Sequence, residues 1–340
     1  MTQPHTDHAT DRATDRATVL WRDDFREGVR TEGPGAPWRF VQASAELIAN
    51  DAVIGTGPDG LSLVARGRHP RTGEPAFTRT VPRETGEPGS IPGFADHAKW
   101  IAYVNRQSTA GFQGFDTEPG RVLSVEAVVS GRTYGTAGHP FGDAVADPED
   151  DIRLAAAMLN TIDPETSVAF DFLLTNKHVY AFYGRTNFSR RHLGAYGSFA
   201  NTVPLAPRSP GDRHRVRISH DRSAGTVSWI LDGETVLTVD RIGHPLDRAT
   251  LTLDEGGTLT EVEPRQLSFG MGLMSLLDGS WPTGRGLVRL SRATTYYRPD
   301  RGAPAEQSFV DEDSAERSRL FGQGAELRIA DYVVTSSPSV

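Results

Sequence analysis

The most constraining feature of this sequence is its division into short apolar runs that alternate with polar residues and end at turn-forming residues. The clearest case is Thr226–Leu231 followed by 235–239, two alternating runs that meet at Asp232-Gly233. Asp-Gly between alternating apolar segments is a strong signal for a tight β-hairpin. Similar runs recur along the chain, separated by many of its 35 glycines and 22 prolines. The pattern predicts an all-β sandwich of two antiparallel sheets with long loops.

Length and composition favour a single domain behind a polar tail. The chain has 340 residues, of which 37% are hydrophobic, enough for a sizeable core. Residues 1–18 show no apolar periodicity and repeat Ala-Thr-Asp-Arg at 9–12 and 13–16, so we expect a disordered tail there. Residues 19–340 are predicted to form one domain. Its long loops are predicted at 66–98, 130–151 and 296–325.

Charge and cysteine content narrow the classes of function. The net charge of −8 argues against nucleic acid or an anionic membrane surface as the main partner. The absence of cysteine excludes disulfides, thiolate metal sites and a thiol nucleophile, and suits a reducing compartment. No stretch approaches the roughly 18 apolar residues of a membrane span, and the N-terminal residues lack the apolar region of a secretory signal. We therefore expect a cytoplasmic protein. Arginine supplies all but two of the 36 basic residues, a skew typical of actinobacterial genomes.

One predicted hairpin places a carboxylate between two phenylalanines. If 167–175 and 178–183 pair across a two- or four-residue turn at Asn176-Lys177, Asp171 lies opposite Phe182. A three-residue turn would instead place Tyr183 beside it. In the first register the face of Asp171 is mixed and polar, as in a ligand cleft. The other face is a continuous core surface of Phe170, Phe172, Leu174, Val179, Ala181 and Tyr183.

Asp171 is the main catalytic candidate, with Tyr180 and His178 on the same face as its assistants. Desolvation between Phe170 and Phe172 would raise the pKa of Asp171 and make it a general acid or base. The alternative is a structural carboxylate that is hydrogen-bonded to a neighbouring strand, because an unpartnered buried charge is costly.

Further residues are predicted to bind the substrate. Aromatic faces stack on sugar rings or shape an apolar pocket, and a carboxylate on the same surface could join Asp171. The alternative role of Trp100 is core packing. The alternative for the carboxylate, Glu126, is an exposed position on its strand. The predicted substrate-binding residues are Glu126, Trp100, Tyr103, Phe182 and Trp281.

Several motifs spread along the chain resemble those of one enzyme family. They are Trp21-Arg22-Asp23-Asp24-Phe25 followed by Trp38, then Trp229-Ile230-Leu231-Asp232-Gly233, the segment 271–282 ending in Gly-Ser-Trp-Pro, and Ile329-Ala330-Asp331-Tyr332-Val333-Val334. In order and spacing they resemble the laminarinase-like family-16 glycoside hydrolases. This resemblance, over residues 19–335, implies a concanavalin A-like jelly roll.

The catalytic strand departs from that family. The family has Glu-x-Asp-x-Glu or Glu-x-Asp-x-x-Glu where this chain keeps only the central Asp171. Ala169 stands at the nucleophile position and Leu173 or Leu174 at the acid/base position. Retaining glycosidases need two carboxyl groups about 5–5.5 Å apart. The resemblance therefore implies a glycosidase scaffold without the family's chemistry.

The resemblance also implies a structural calcium ion, for which Asp331 and Asp24 are the candidate ligands. Pairing of these carboxylates with arginine is the alternative. No other cofactor is expected.

The function predicted from the sequence is a cofactor-independent enzyme of secondary metabolism. Cyclase, isomerase, hydratase and lyase are the candidate classes, with a small apolar or sugar-like molecule held in the concave cleft. A non-catalytic carbohydrate-binding protein is the alternative, and a glycosidase or lyase with relocated catalytic residues is the third possibility. The fold does not decide among them.

Overall fold

A computed structural model describes residues 17–42, 49–65, 97–318 and 322–339. Most of the predicted tail and of the predicted loop 66–98 lies outside these ranges. Within them the chain forms one short α-helix, α1 (Arg190–Leu193), four 3-10 helices of three residues each, and nineteen strands. The strands are β1 (Thr18–Asp23), β2 (Trp38–Phe40), β3 (Val53–Gly57), β4 (Gly60–Val64), β5 (Ala98–Val104), β6 (Phe115–Asp116), β7 (Arg121–Tyr134), β8 (Ala156–Ile162), β9 (Val168–Leu174), β10 (His178–Arg185), β11 (Phe199–Pro207), β12 (His214–Asp221), β13 (Thr226–Leu231), β14 (Glu234–Val239), β15 (Leu251–Asp254), β16 (Gln266–Met274), β17 (Gly286–Val288), β18 (Phe309–Asp311) and β19 (Gly324–Pro338).

Two large antiparallel sheets form the molecule, which confirms the predicted jelly-roll β-sandwich. The eight-stranded sheet has the order β14-β13-β12-β7-β19-β4-β3, and β1 also pairs with β19. The nine-stranded sheet has the order β15-β11-β10-β9-β8-β16-β5-β2, and β6 pairs with β16. Strands β17 and β18 form a separate parallel pair.

The core between the sheets follows from the alternation of side chains along each strand. Phe170, Phe172 and Leu174 on β9 belong to it, as do Val179, Ala181 and Tyr183 on β10. This is the core face predicted from the sequence. Complete burial of one such side chain stabilises the fold by about 1.5–3 kcal/mol relative to an exposed position. The opposite face of β9 and β10 is therefore left to build a second surface.

The β9–β10 hairpin has the register that the two-residue turn predicts. Thr175 N donates to His178 O at 3.1 Å across Asn176-Lys177, and Asp171 lies opposite Phe182. The Asp232-Gly233 turn between β13 and β14 is also confirmed, and both of its residues have positive φ, 52° and 94°.

The motif residues at the two ends of the chain pack against one another. The ring of Trp38 lies 5.0 Å from that of Trp21 and 5.2 Å from that of Tyr332. Trp38 Nε1 donates to Asp23 Oδ2 at 2.8 Å, and Asp23 is paired with Tyr332 in the ladder of β1 and β19. The opening and closing motifs therefore hold the first and last strands together, which closes the sandwich.

The chain after β16 crosses the concave face of the nine-stranded sheet. Ser275 N donates to His97 O at 3.0 Å beside β5, and Ser280 N donates to Thr252 O at 2.7 Å on β15, at the far edge. Further along, Tyr297 N donates to Asp254 O at 2.7 Å. The segment 275–297 thus forms a roof over the sheet, and we use that name for it below.

Some predicted loops contain strands. The predicted loop 130–151 begins inside β7, which extends to Tyr134, and the predicted loop 296–325 contains β18 and the start of β19. β11 was not predicted because Pro204 and Pro207 interrupt its pattern, although it pairs with β10 along its length.

Candidate functional site

A cavity of about 290 Å³ lies between the concave face of the nine-stranded sheet and the roof. Its walls are largely apolar, and residues of eight strands and of the roof contribute to them. Prominent apolar lining residues are Ile101, Met158, Phe182, Leu253, Met274 and Leu276.

Asp171 projects into this cavity from the middle of β9. It is 3% exposed, and its Oδ1 accepts hydrogen bonds from Thr161 N and Asn160 Nδ2, both at 2.8 Å. Burial raises the pKa of Asp171 to about 7, although both hydrogen bonds favour the ionised form. Within the described part of the chain, both hydrogen bonds to the carboxyl end at Oδ1. The carboxyl can therefore take up or release a proton near neutral pH.

Tyr103 lines the same cavity from β5, three strand positions from Asp171 in the order β9-β8-β16-β5. Its ring lies across Gly270 of β16, where an added Cβ would come within 2.7 Å of the ring atom Cδ1. Burial raises the pKa of Tyr103 well above its usual value, and the charge of Asp171 raises it further, while Arg39 opposes this. The Tyr103 hydroxyl therefore stays protonated and can donate a hydrogen bond to a bound molecule.

A second polar group lies elsewhere in the cavity lining. Glu255, directly after β15, accepts hydrogen bonds from Ser198 Oγ and, at 3.1 Å, from Asn187 Nδ2. Asp278 in the roof is bonded to His97 Nε2 at 2.9 Å and accepts a hydrogen bond from Tyr296 at 3.0 Å. All six residues line the cavity.

The sequence-predicted assistants of Asp171 lie outside the cavity lining. Tyr180 and His178 share its face but stand two and four residues beyond Phe182, roughly 7 and 13 Å along the strand. His178 Nδ1 is bonded to Asp150 Oδ2 at 2.6 Å, and the Tyr180 hydroxyl donates to Asp150 O at 3.4 Å. These contacts connect the start of β10 to the loop before β8.

The five predicted substrate-binding residues divide between the cavity and other sites. Phe182 and Tyr103 line the cavity. Trp100 lies in the core between the sheets, with its ring 5.5 Å from that of Phe40. Trp281 packs on Tyr180 outside the cavity lining, with the ring centroids 6.1 Å apart.

Glu126 lies on β7 in the eight-stranded sheet, on the far side of the core, so its predicted place in the cleft is corrected. It pairs with Arg215 at 2.7 Å and Arg217 at 2.5 Å. Burial raises the pKa of Glu126, but the hydrogen bonds from both arginines outweigh burial and lower it. It is a surface ion-pair residue.

The positions of the family-16 carboxylates are apolar in three dimensions as well. Ala169 lines the cavity, and Leu174 faces the core between the sheets. Leu173 packs in a second cluster of buried apolar side chains, which includes Met158 and Phe182. β9 therefore carries one carboxyl group, Asp171, and the pair required for retaining hydrolysis is missing from it.

The predicted calcium ligands Asp24 and Asp331 do not form a complete donor set. Asp24 pairs with Arg26 at 3.3 Å, and Asp331 is an exposed residue in a bulge of β19. In the ranges that the structure describes, no three His, Cys, Asp or Glu side chains come together to hold a metal ion. Ca²⁺ takes six to eight oxygen ligands, which include backbone carbonyls and water, so these two carboxylates would supply only part of a site and the calcium ion stays a prediction.

Sequence reasoning missed Glu255, Asp278, His97 and Tyr296, because they come from separate connections with no shared spacing. A weak signal was present: Glu255 and Asp278 each stand where an apolar strand pattern ends and glycine follows. Acidic residues at strand ends beside glycine are also common in ordinary turns, so the signal does not identify a site.

Fold and site together define a jelly-roll sandwich with a roofed, largely apolar cavity that contains buried carboxyl groups. The chain belongs to the family described as "Family of unknown function (DUF6081)", which matches residues 22–338. A relative is "Uncharacterized protein L829" of Acanthamoeba polyphaga mimivirus, 25% identical over 384 residues, covering 86% of this chain and 83% of the viral protein. None of the described helices is both long and apolar enough to cross a bilayer.

Solved structures with this architecture are distant. The endo-β-1,3-glucanase of Pyrococcus furiosus is 12% identical with a TM-score of 0.42, covering 96% of each chain. The endo-1,3-β-glucanase of Streptomyces sioyaensis is 12% identical with a TM-score of 0.39, covering 99% of this chain and 100% of the other. Alginate lyase A1-II′, a member of polysaccharide lyase family 7, is 10% identical with a TM-score of 0.40, covering 84% of each chain. Likeness at this level carries no information on activity.

Proposed function

We propose that the protein is a cofactor-independent enzyme that moves protons on a small, largely apolar molecule bound in the concave cavity. Asp171 is the acid/base group. The observation that supports this most strongly is a carboxyl with a pKa of about 7, buried in an apolar cavity and hydrogen-bonded at only one of its oxygens by described residues. Such a group is present in both protonation states at neutral pH, as a general acid or base must be.

The cavity favours a small molecule over a polymer. Its volume of about 290 Å³ lies at the lower end of the range for small-molecule pockets. Apolar walls lower the local polarity and strengthen each electrostatic contact that a bound molecule makes with Asp171. Cyclase, isomerase, hydratase and lyase chemistry all need this combination of shape and proton transfer.

Tyr103 takes the assisting role that the sequence assigned to Tyr180 and His178. Its hydroxyl remains protonated because burial and the charge of Asp171 both raise its pKa. It can hold the substrate by hydrogen bonding while Asp171 exchanges a proton. Phe182, opposite Asp171, supplies an apolar contact surface on the adjacent strand.

The test is conversion of a metabolite by exhaustively dialysed protein. A metabolite extract from the source cells is incubated with the wild type, with Asp171→Asn and with Asp143→Asn, an exposed aspartate, as the matched control. Mass spectrometry then follows every component. We expect the wild type and the control to convert one compound, and Asp171→Asn to convert it about 10²–10⁴-fold more slowly.

Three other results would each contradict the proposal. Equal conversion by Asp171→Asn would remove Asp171 from the chemistry. If the wild type and Asp171→Asn both retain a compound that is recovered unchanged, a binding protein is favoured, for which carbohydrates are the candidate ligands. Release of shorter saccharides would favour a glycosidase or lyase with relocated carboxylates.

A further inference from the structure

Six residues from four parts of the chain form two hydrogen-bonded groups in the cavity wall, one around Glu255 and one around Asp278. His97, Asn187, Ser198, Glu255, Asp278 and Tyr296 all line the cavity. Four of these side chains, Ser198, Glu255, Asp278 and Tyr296, are buried, and the other two are half-buried. Convergence of polar groups in an otherwise apolar cavity is the usual arrangement of a working site.

Glu255 is the central carboxyl of this region. It is 8% exposed and accepts hydrogen bonds from Ser198 and Asn187. Burial raises its pKa to about 7 and the hydrogen bond from Ser198 opposes this. The charge of Asp278 raises the pKa further, whereas Arg190 and His97 lower it.

The two carboxyls of raised pKa stand far apart in the sheet. Asp171 is on β9 and Glu255 follows β15, three strand positions away in the order β9-β10-β11-β15. Three spacings of 4.8 Å separate their backbones by roughly 14 Å across the sheet. They cannot act as an adjacent carboxyl pair of the retaining-glycosidase type, which needs about 5–5.5 Å. A molecule that contacts both must extend along the cavity.

We propose that Glu255 is a second catalytic carboxyl, which donates a proton to one end of the substrate while Asp171 removes a proton from the other. This inference rests on the proposed function of Asp171. The roles follow from the surroundings. Both carboxyls accept two hydrogen bonds, but the pKa of Glu255 is also raised by a neighbouring carboxylate, Asp278, which favours its protonated form.

The reaction class is an isomerisation. A C–H or O–H bond of the substrate breaks, its proton goes to Asp171, and its electron pair shifts along the molecule. The displaced pair forms a bond to the proton that Glu255 gives up. The substrate neither gains nor loses atoms. Asp171 ends protonated and Glu255 ionised, and proton exchange with water returns both to their starting states. The substrate is thus an uncharged molecule with an unsaturated, apolar body.

Asp278, His97 and Tyr296 are positioning residues in this scheme. His97 and Tyr296 fix the Asp278 carboxyl at 2.9 and 3.0 Å, and Gln307 Nε2 holds the Asp278 backbone oxygen at 2.7 Å. The negative charge of Asp278 is thereby held where it favours the protonated form of Glu255. Loss of the Tyr296 hydroxyl should change the pH dependence of turnover more than its maximum rate.

The experiment compares Glu255→Gln with Glu261→Gln, a matched surface control whose carboxyl is 67% exposed. For the compound converted by the wild type but not by Asp171→Asn, we expect a product with the mass of the substrate in H₂O. In D₂O the product should carry one deuterium, on the carbon that Glu255 protonates. Glu255→Gln should turn over the compound about 10²–10⁴-fold more slowly, and its rate should no longer fall at alkaline pH. Glu261→Gln should match the wild type. Tyr296→Phe should keep the maximum rate within a few-fold and move the alkaline limb.

A second measurement needs no substrate. The carboxyl ¹³C signals of glutamate-labelled protein are titrated, and the Glu255 signal is assigned by its loss in Glu255→Gln. Titration near neutral pH supports the proposal, and titration in the ordinary glutamate range overturns it. Full activity of Glu255→Gln, or a product lighter by one water, also overturns it while leaving Asp171 as the acid/base group. Full activity of Asp171→Asn instead contradicts the proposed function itself.

Discussion

A buried carboxyl destabilises the fold when it is ionised, so a protein that keeps one in a cavity gives up stability at neutral pH. Asp171 is such a residue: burial outweighs two hydrogen bonds and raises its pKa to about 7. Between the unfolded value of about 3.9 and this value, the folded state binds a proton that the unfolded state lacks. The contribution of Asp171 to stability therefore falls as pH rises through this window.

Asp171→Asn should remove this pH dependence. The amide keeps the shape and can still accept the hydrogen bond from Thr161, but it carries no charge to bury. We expect the free energy of unfolding of the variant, relative to the wild type, to increase by about 2–3 kcal/mol between pH 5 and pH 8. Urea unfolding at both pH values measures it. Parallel changes in the two proteins would show that Asp171 is ionised and well solvated in the fold.

Gly270→Ala tests the position of Tyr103. An alanine Cβ at this position would come within 2.7 Å of the Tyr103 ring and within 2.6 Å of Ala102 O, so the ring must move. We expect a loss of about 1–3 kcal/mol in stability and a decrease in turnover. Gly57→Ala, in β3 with nothing within 4 Å of the added atom, is the control and should change neither quantity. Unaltered turnover in Gly270→Ala would remove Tyr103 from the proposed chemistry.

At the level of the elements, alternation predicted β9 and β10 and the face of each that enters the core. The short turn at Asn176-Lys177 then determined the register that brings Phe182 beside Asp171. Alternation describes one strand at a time, so it could not place Tyr103, whose ring enters the cavity over Gly270 of the adjacent β16, a residue with no side chain. For the same reason it placed Glu126 in the cleft, although that strand belongs to the other sheet.

The roof is anchored by a buried ion pair outside the cavity. Arg153 is fully buried and bonds Asp151 at 2.5 Å, Ala144 O at 2.5 Å and Arg285 O at 2.8 Å. Arg153→Met leaves Asp151 buried without its partner, so we expect a loss of about 3–5 kcal/mol in the free energy of unfolding. The double variant with Asp151→Asn should recover part of it.

Urea denaturation measures both effects, with Arg301→Met as the control because that side chain is 67% exposed. A single Arg153→Met variant as stable as this control would mean that other contacts hold the roof.

At the scale of the whole molecule, the motifs that resemble a glycosidase family lie where the sandwich closes. Trp38, Asp23 and Tyr332 form the contact between first and last strands, and their spacing was readable. The part of the cavity around Glu255 could not be predicted from the sequence, because Glu255, Asp278 and His97 come together only where the roof crosses the sheet. We expect residues 19–340 to unfold in one transition, since the first and last strands share one ladder.

Polysaccharide hydrolysis should be absent. Ala169 and Leu173 leave β9 without the required carboxyl pair, so β-glucans, agarose, carrageenan and xyloglucan should release no reducing ends above background. Reducing-end assays measure this, with Asp171→Asn as the comparison. Release that disappears in Glu255→Gln would show that the hydrolytic carboxyls had moved to the roof side of the cavity.

The pH dependence of kcat/KM for the converted metabolite tests the role of Asp171 most directly. With Asp171 as the base, the acid limb of the wild-type profile should rise with pH as this carboxyl, with a pKa of about 7, ionises, before the alkaline fall attributed to Glu255. Asp171→Asn should show only a residual rate without this rise. A variant that keeps both the wild-type rate and its rise near neutral pH would contradict the assignment of Asp171 as the proton-transferring group.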